Sequence, residues 1–220
     1  MRFRALAGLF CVVAAALFLR CGDLALRPLH NDEAINAFKL QKLWASGEYR
    51  YDPHEYHGPV LYYASLPVLA AASAWSGQPQ PTEGAMRSVS VVAGVALLLV
   101  VVLLADGLGW GRLLLGGVLA AVSPVMAYYS RYYIHELLLV LFTLVAGAAV
   151  WRYSRRPLWA WAALAGAAVG LMYATKETFV FALLAGGVAW VVSVAWGPGR
   201  EVSSGVAAEG AVARLRGGLR

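Results

Sequence analysis

The chain has 220 residues, of which 60% are hydrophobic and only 14% charged, against about 25% charged in soluble domains, and this excludes a water-soluble globule. Aromatic residues make up 12%, and with such long apolar runs the chain collapses rather than staying solvated, so disorder is excluded too. The net charge of +6 does not point to nucleic acid, because the Lys and Arg residues lie between apolar segments instead of clustering with aromatics. An all-α polytopic membrane protein remains, and the two cysteines, Cys11 and Cys21, are too far apart along a helix to form a disulfide.

In chain order, the first span is predicted over about 5–21. Its basic start resembles a signal peptide, but no small-x-small cleavage site follows, and Arg20 precedes Cys21 where a lipobox needs a small residue, so it reads as an uncleaved anchor. Interfacial helices are expected over about 33–46 and 59–75, and further spans over about 88–106, 113–130, 135–152, 157–175 and 178–197. Each span is close to the length that crosses the hydrocarbon core, provided Arg4, Arg20, Glu136 and Arg152 snorkel from the ends of the shorter ones. Residues 1–197 thus form one transmembrane domain with about six helices, and 198–220 a cytoplasmic tail or truncated linker.

The stretch Tyr56 to Thr82 lacks charge but carries Pro59, Pro67, Pro79 and Pro81. Counting it as a span would put Arg112 and the Arg152, Arg155, Arg156 cluster outside, against the positive-inside rule. It is therefore assigned to a long first extracytoplasmic loop, with the N-terminus inside. Gly107, Gly109 and Gly111 read as an inside turn, and Gly166 with Gly170 as a close helix-packing motif.

With this topology all four histidines and nine of the twelve acids lie on the outer side. Ionisable groups at the mouths of membrane helices are costly unless paired or wetted, so they mark candidate sites. In the segment His30-Asn31-Asp32-Glu33 two readings stand: Asn31 or Asp32 caps the following helix, or Asp32 is a general base held over the membrane. Tyr51 to Pro59 gathers Asp52, His54, Glu55 and His57 in a Gly/Pro turn. It is either an interfacial loop with aromatic anchors or, because His and carboxylate ligands suit Zn or Mn, a metal site without a closed spacing.

Tyr128 to Glu136 surrounds Arg131 with four tyrosines. A helix there would put Arg131 and His135 on one face at i,i+4 with Glu136 close by, as an aromatic belt or as a clamp for a phosphate oxygen. Lys176-Glu177, in the last outer turn, is a solvated pair or a point charge for a lipid-linked phosphate.

Taken in order, four motifs carry a family resemblance. They are Asp32-Glu33 after the first span, the turn Tyr56-His57-Gly58-Pro59 with Tyr62 and Tyr63, the run Tyr128-Tyr129-Ser130-Arg131-Tyr132 with His135 and Glu136, and Ala174 to Thr178. Together they resemble the GT-C membrane glycosyltransferases, nearest the protein O-mannosyltransferase and aminoarabinose transferase group and, within it, the prokaryotic flippase-activity-associated family. The resemblance covers about residues 1–197.

It implies transfer of a sugar, with inversion, from a polyprenyl-phosphate donor to an acceptor on the extracytoplasmic face of the cytoplasmic (inner) membrane. By the same resemblance Asp32 is the catalytic base, with Glu33 the second candidate, and Arg131 contacts the donor phosphate. Tyr56, His57, His135, Glu136 and Lys176 are carried as substrate-binding positions. No residue is assigned to a metal, and a divalent ion is left open as cofactor.

Aminoarabinose-type relatives carry an acid and a Lys before the Pro, where this chain has Tyr56 and His57. Relatives usually have more spans as well, so the chain reads as a truncated product, as a fragment forming the catalytic front of a larger enzyme, or as a minimal module, and whether it acts alone is left open. The competing expectation is a non-catalytic membrane partner that binds polyprenyl-linked glycan for a flippase or glycan assembly complex. The bilayer is the other expected partner, and nucleic acid is not.

Overall fold

The computed structural model describes residues 2–52, 54, 57–77 and 80–196, so the tail expected at 198–220 lies outside the described residues. Its regular elements are helices, and the only strand-like pairing among the described residues is an isolated bridge between His57 and Lys176. Residues 1–179 form one compact unit and residues 180–220 a second.

Helix α1 (Arg2–Cys21) runs unbroken. Phe3, Phe10 and Phe18 stand exposed on it, as side chains do when hydrocarbon is the solvent, while Val12 and Ala16 pack with Leu98 and Ala121. The amphipathic α2 (Asn31–Ser46) buries Ala37, Leu40 and Leu43 and exposes Ile35 and Phe38. It stops at Gly47, whose φ of 72° is the left-handed conformation that glycine adopts without steric cost. Helix α3 (Val60–Ser76) follows, and α4 (Glu83–Val100) continues through a 3-10 turn, Val101–Leu104, into α5 (Ala105–Leu108). Then come α6 (Trp110–Val122), α7 (Pro124–Tyr129), α8 (Glu136–Arg155), α9 (Trp159–Tyr173) and α10 (Phe179–Ala195).

Among the described residues three segments are long and apolar enough to cross a membrane, namely Phe3–Cys21, Glu83–Leu108 and Glu136–Arg155. Helices α3, α6, α9 and α10 are apolar but shorter, 13 to 17 residues. The architecture is all-α and polytopic, and a count of six spans requires α6, α9 and α10 to cross as well.

Two differences from the sequence expectations have clear physical causes. The segment expected as one helix over 113–130 is divided at Ser123–Pro124: proline has no N–H for the ladder, and the Ser123 hydroxyl accepts the Met126 N–H at 3.4 Å to start α7 afresh. Arg20, expected to snorkel, is 1% exposed. It donates to the carbonyls of Ala16, Ala120 and Ala121 at 3.2, 3.1 and 2.8 Å, two of them at the C-terminal end of α6, where carbonyls lack helical partners.

Within the first unit α8 packs on α9 and α4, and α1 packs on α6 and α4. The main core joins Leu40 and Leu43 of α2, Leu61 and Leu69 of α3, Met86 and Val89 of α4, and Tyr133, Leu137 and Leu138 around the start of α8. This core ties the amphipathic α2 to the same ends of α4 and α8 that carry the polar motifs.

Candidate active site

Glu33 lies at the centre of the polar network. Its side chain is fully buried, and Arg87 of α4 grips it in a forked pair, Nε to Oε1 at 2.8 Å and Nη2 to Oε2 at 2.9 Å. The Tyr133 amide donates to Oε1 at 3.0 Å, and the His30 amide and Arg27 donate to Oε2, each at 3.2 Å. Burial pushes the Glu33 carboxyl up, but the hydrogen bonds from Arg87, Tyr133 and His30, together with the charge of Arg87, outweigh it and hold the group below the ordinary glutamate value. Arg87 also donates to the carbonyls of Leu24, Arg27 and Pro28 at 2.6, 2.7 and 3.2 Å. One buried guanidinium thus ties the segment after α1, the first turn of α2 and the start of α4 together.

Asp32, one residue earlier, faces the other way. Its side chain is 64% exposed, with His30 Nδ1 at 3.9 Å. The residue that caps α2 is His30 rather than Asn31 or Asp32: its Nδ1 accepts the Asp32 N–H at 3.5 Å, and Glu33 returns a bond to the His30 N–H. The Asp32 carboxylate is therefore left outside the capping arrangement.

The tyrosine-rich motif is not helical through Arg131 to His135, as the i,i+4 expectation required. Helix α7 ends at Tyr129 and α8 begins at Glu136. The cause is visible in the hydrogen bonds between them: the Tyr133 amide goes to Glu33, its carbonyl accepts from Asn36 at 3.2 Å, and the Tyr132 carbonyl accepts from Ser90 at 2.8 Å. These backbone groups are used by tertiary partners and are not free for a helix.

The segment instead turns Arg131 and His135 to different places. Arg131 donates to the Gly22 carbonyl and, with Asp23, Arg27, Arg87 and Tyr128, lines a cavity of about 350 Å³. The Arg27 guanidinium lies 5.3 Å from the Tyr128 ring centroid and 5.1 Å from that of Tyr132, so those tyrosines act as a bracket for a cation. Burial, followed by the nearby Asp32 and Glu33 charges, raises the Tyr132 phenol to about 12.

His135 enters the interior, 1% exposed, with its ring 4.7 Å from His57 and 5.4 Å from Tyr62. Neither of its ring nitrogens has a hydrogen-bond partner among the described residues. Tyr62 in turn donates to Asn36 at 2.9 Å.

The His57 turn is stitched to the Lys176 turn through its backbone: the Gly58 N–H donates to Thr175 O at 3.1 Å and the Val60 N–H to Ala174 O at 3.3 Å. A Cβ on Gly58 would sit 2.0 Å from Ala174 O, so only glycine allows this approach. Lys176 is paired with Glu136 at 2.5 Å, and Glu177 lies 3.6 Å from His57.

The structure therefore gathers Asp32, Glu33, Arg131, His57, His135, Glu136 and Lys176 into connected motifs, and Tyr56 lies outside the described residues. Asp52 and His54 stand apart in an exposed turn of their own, where the His54 N–H donates to Asp52 Oδ1 at 2.9 Å and the His54 ring lies 3.2 Å from the same oxygen; the backbone bond first, then the ring, holds the Asp52 carboxyl below its ordinary value. Among the described residues no group of three His, Cys, Asp or Glu side chains is gathered to hold a metal ion.

Sequence reasoning missed Arg27 and Arg87. The span expected over about 88–106 leaves Arg87 just outside it, whereas α4 begins at Glu83 and carries this arginine buried. The signal that could have found it is weak, one arginine at the start of a long apolar helix, and its partner Glu33 lies 54 residues away.

No curated protein and no solved structure matches the chain. The family model of the dolichyl-phosphate-mannose-protein mannosyltransferases matches residues 62–205, which takes in Tyr62, Arg87, Arg131, His135, Glu136 and Lys176. That family consists of GT-C membrane glycosyltransferases that use polyprenyl-phosphate sugar donors. With the match spanning well over half its length, the chain belongs to the dolichyl-phosphate-mannose-protein mannosyltransferase family.

Proposed function

We propose that this chain carries the donor-side machinery of a glycosyl transfer on the extracytoplasmic face, in which Asp32 is the general base and Arg131 contacts the donor phosphate. The observation that carries the reading is the contrast at the start of α2: Glu33 is saturated by five hydrogen bonds, while the neighbouring Asp32 carboxylate is solvent-accessible. A carboxylate committed to two arginines and two amides is a poor proton acceptor, so Glu33 is a positioning residue and Asp32 the base.

In the reaction the acceptor oxygen bonds to the anomeric carbon from the side opposite the phosphate, and its proton passes to Asp32. The bond from that carbon to the phosphate oxygen breaks with its electron pair, which inverts the configuration. Negative charge then builds on the leaving polyprenyl phosphate, and the arginine-lined cavity formed by Arg27, Arg87 and Arg131 supplies positive charge for it. Lys176 is held by Glu136 through one of its three N–H donors, which leaves the others for a phosphate oxygen.

The test uses the full chain in vesicles with a polyprenyl-phosphate sugar and an acceptor, comparing Asp32→Asn, Glu33→Gln and Arg131→Ala. Asp32→Asn is expected to lower turnover about 10²- to 10⁴-fold with folding unchanged, the range that a positioned general base contributes. Arg131→Ala should raise the KM for the donor, and Glu33→Gln should reduce stability first. If the protein instead serves as a non-catalytic glycan-binding partner, Asp32→Asn is silent while Arg131→Ala still weakens lipid-glycan binding.

A further inference from the structure

Arg152, Arg155 and Arg156 close the end of α8 remote from His135, about 30 Å away for a helix of 20 residues. With Asp106, Leu158 and Trp161 they line a cavity of about 700 Å³ that plays no part in the reaction described above.

Its charge is unbalanced, three arginines against one acid. Asp106 takes one terminal nitrogen of Arg152, but the Arg152 Nε is buried with no hydrogen-bond partner among the described residues. Arg155 and Arg156 are exposed. Two guanidiniums lie against indoles, Arg155 at 5.3 Å from the Trp151 ring centroid and Arg152 at 5.7 Å from that of Trp161. Stacking of this kind fixes the guanidinium plane and leaves its N–H edge for an anion, the geometry that favours a phosphate oxygen over a diffuse counterion.

The surroundings say which phosphate. Val150, Leu158 and Trp159 are 59%, 55% and 82% exposed on the same ends of α8 and α9, so an apolar wall runs away from the cationic mouth. In a bilayer that wall lies against acyl chains, so a soluble phosphate would meet the arginines alone. A phosphate carrying acyl chains uses both.

We propose that this cavity holds the phosphodiester headgroup of an anionic phospholipid, with its acyl chains against the exposed α8–α9 surface. Basic pockets between membrane helices bind such headgroups, with each Arg near the surface contributing about fivefold in affinity.

The test is lipid retention by the full chain, read by native mass spectrometry after exchange into mixed micelles with equal phosphatidylglycerol and phosphatidylcholine. Inorganic phosphate is added in a separate arm as competitor. The proposal predicts preferential retention of phosphatidylglycerol that inorganic phosphate does not displace. The double variant Arg155→Gln/Arg156→Gln should weaken it about 25-fold, being about fivefold per arginine. Arg155→Lys/Arg156→Lys, which preserves net charge and topology, should fall between that variant and the wild type.

Arg112→Gln supplies the control, because Arg112 is bonded to Leu108 O at 3.5 Å outside the cavity lining, and it should bind as the wild type does. Equal retention of the two lipids, displacement by inorganic phosphate, undiminished binding by the double Gln variant, or an equal loss in Arg112→Gln would each overturn the proposal. The last result would reduce it to diffuse surface charge.

Discussion

Consecutive residues on an α-helix point about 100° apart, so the first turn of α2 cannot send both carboxylates of Asp32-Glu33 to the same partners. Glu33 goes inward because it meets Arg87, and each of these charges is affordable inside only while the other is present. Arg87→Met should therefore destabilise the protein by roughly 3–5 kcal/mol, read as the midpoint of denaturation in micelles, since it strands a buried carboxylate.

The depressed Glu33 value also sets a pH dependence. A carboxyl held below its unfolded value contributes stability above the ordinary carboxylate range, and that contribution is lost as pH falls through the range toward the folded value. The wild-type midpoint should accordingly fall below about pH 4, whereas Glu33→Gln should be less stable at neutral pH and flatter on the acid side. A steeper acid loss in Glu33→Gln than in wild type would contradict this account of the pair.

At the scale of elements, the four polar motifs are held together by backbone more than by side chains. The Tyr133 amide and carbonyl bind α2, and the Gly58 and Val60 amides bind the turn after α9. Gly58→Ala should therefore act well beyond its one added carbon. The new Cβ meets a backbone oxygen that cannot rotate away, so about 3 kcal/mol of stability should be lost and the Lys176–Glu136 pair displaced. Thermal denaturation, together with protease sensitivity near residues 57–58, reads both effects.

The same backbone bonding explains what could be read from sequence. Apolar runs marked the chain as all-α and polytopic, because each helix satisfies its own hydrogen bonds wherever it lies. The stretch from Arg131 to His135 is not the helix that would set those two residues on one face, since the Tyr133 amide is claimed by Glu33 and the Tyr133 and Tyr132 carbonyls accept from Asn36 and Ser90, residues 40 or more positions away that local periodicity does not register. The motif residues themselves were legible because ionisable groups are sparse in such a chain. The inward-facing role of Glu33 was not, because it depends on an arginine 54 residues away.

The first unit has one polarity, set along α8. The motif groups lie at the Glu136 end of α8 and the arginine-lined cavity at its Arg155 end, with 20 residues of helix between. If α8 crosses the bilayer, the two ends face opposite compartments. In a background without Cys11 and Cys21, a cysteine at His54, in the exposed turn of the long first loop, should react with an impermeant reagent from outside. A cysteine at Ser154 should react only after the membrane is opened. Labelling of both from one side would refute the arrangement.

The proposed mechanism rests on Asp32 as the base beside a fully bonded Glu33. The most direct measurement is the single-turnover rate of sugar transfer by Asp32→Asn in vesicles, with donor and acceptor saturating and the denaturation midpoint recorded alongside. With Asp32 as the base, the expected loss is about 10²- to 10⁴-fold at an unchanged midpoint. Transfer at the wild-type rate by the folded Asp32→Asn protein would contradict it.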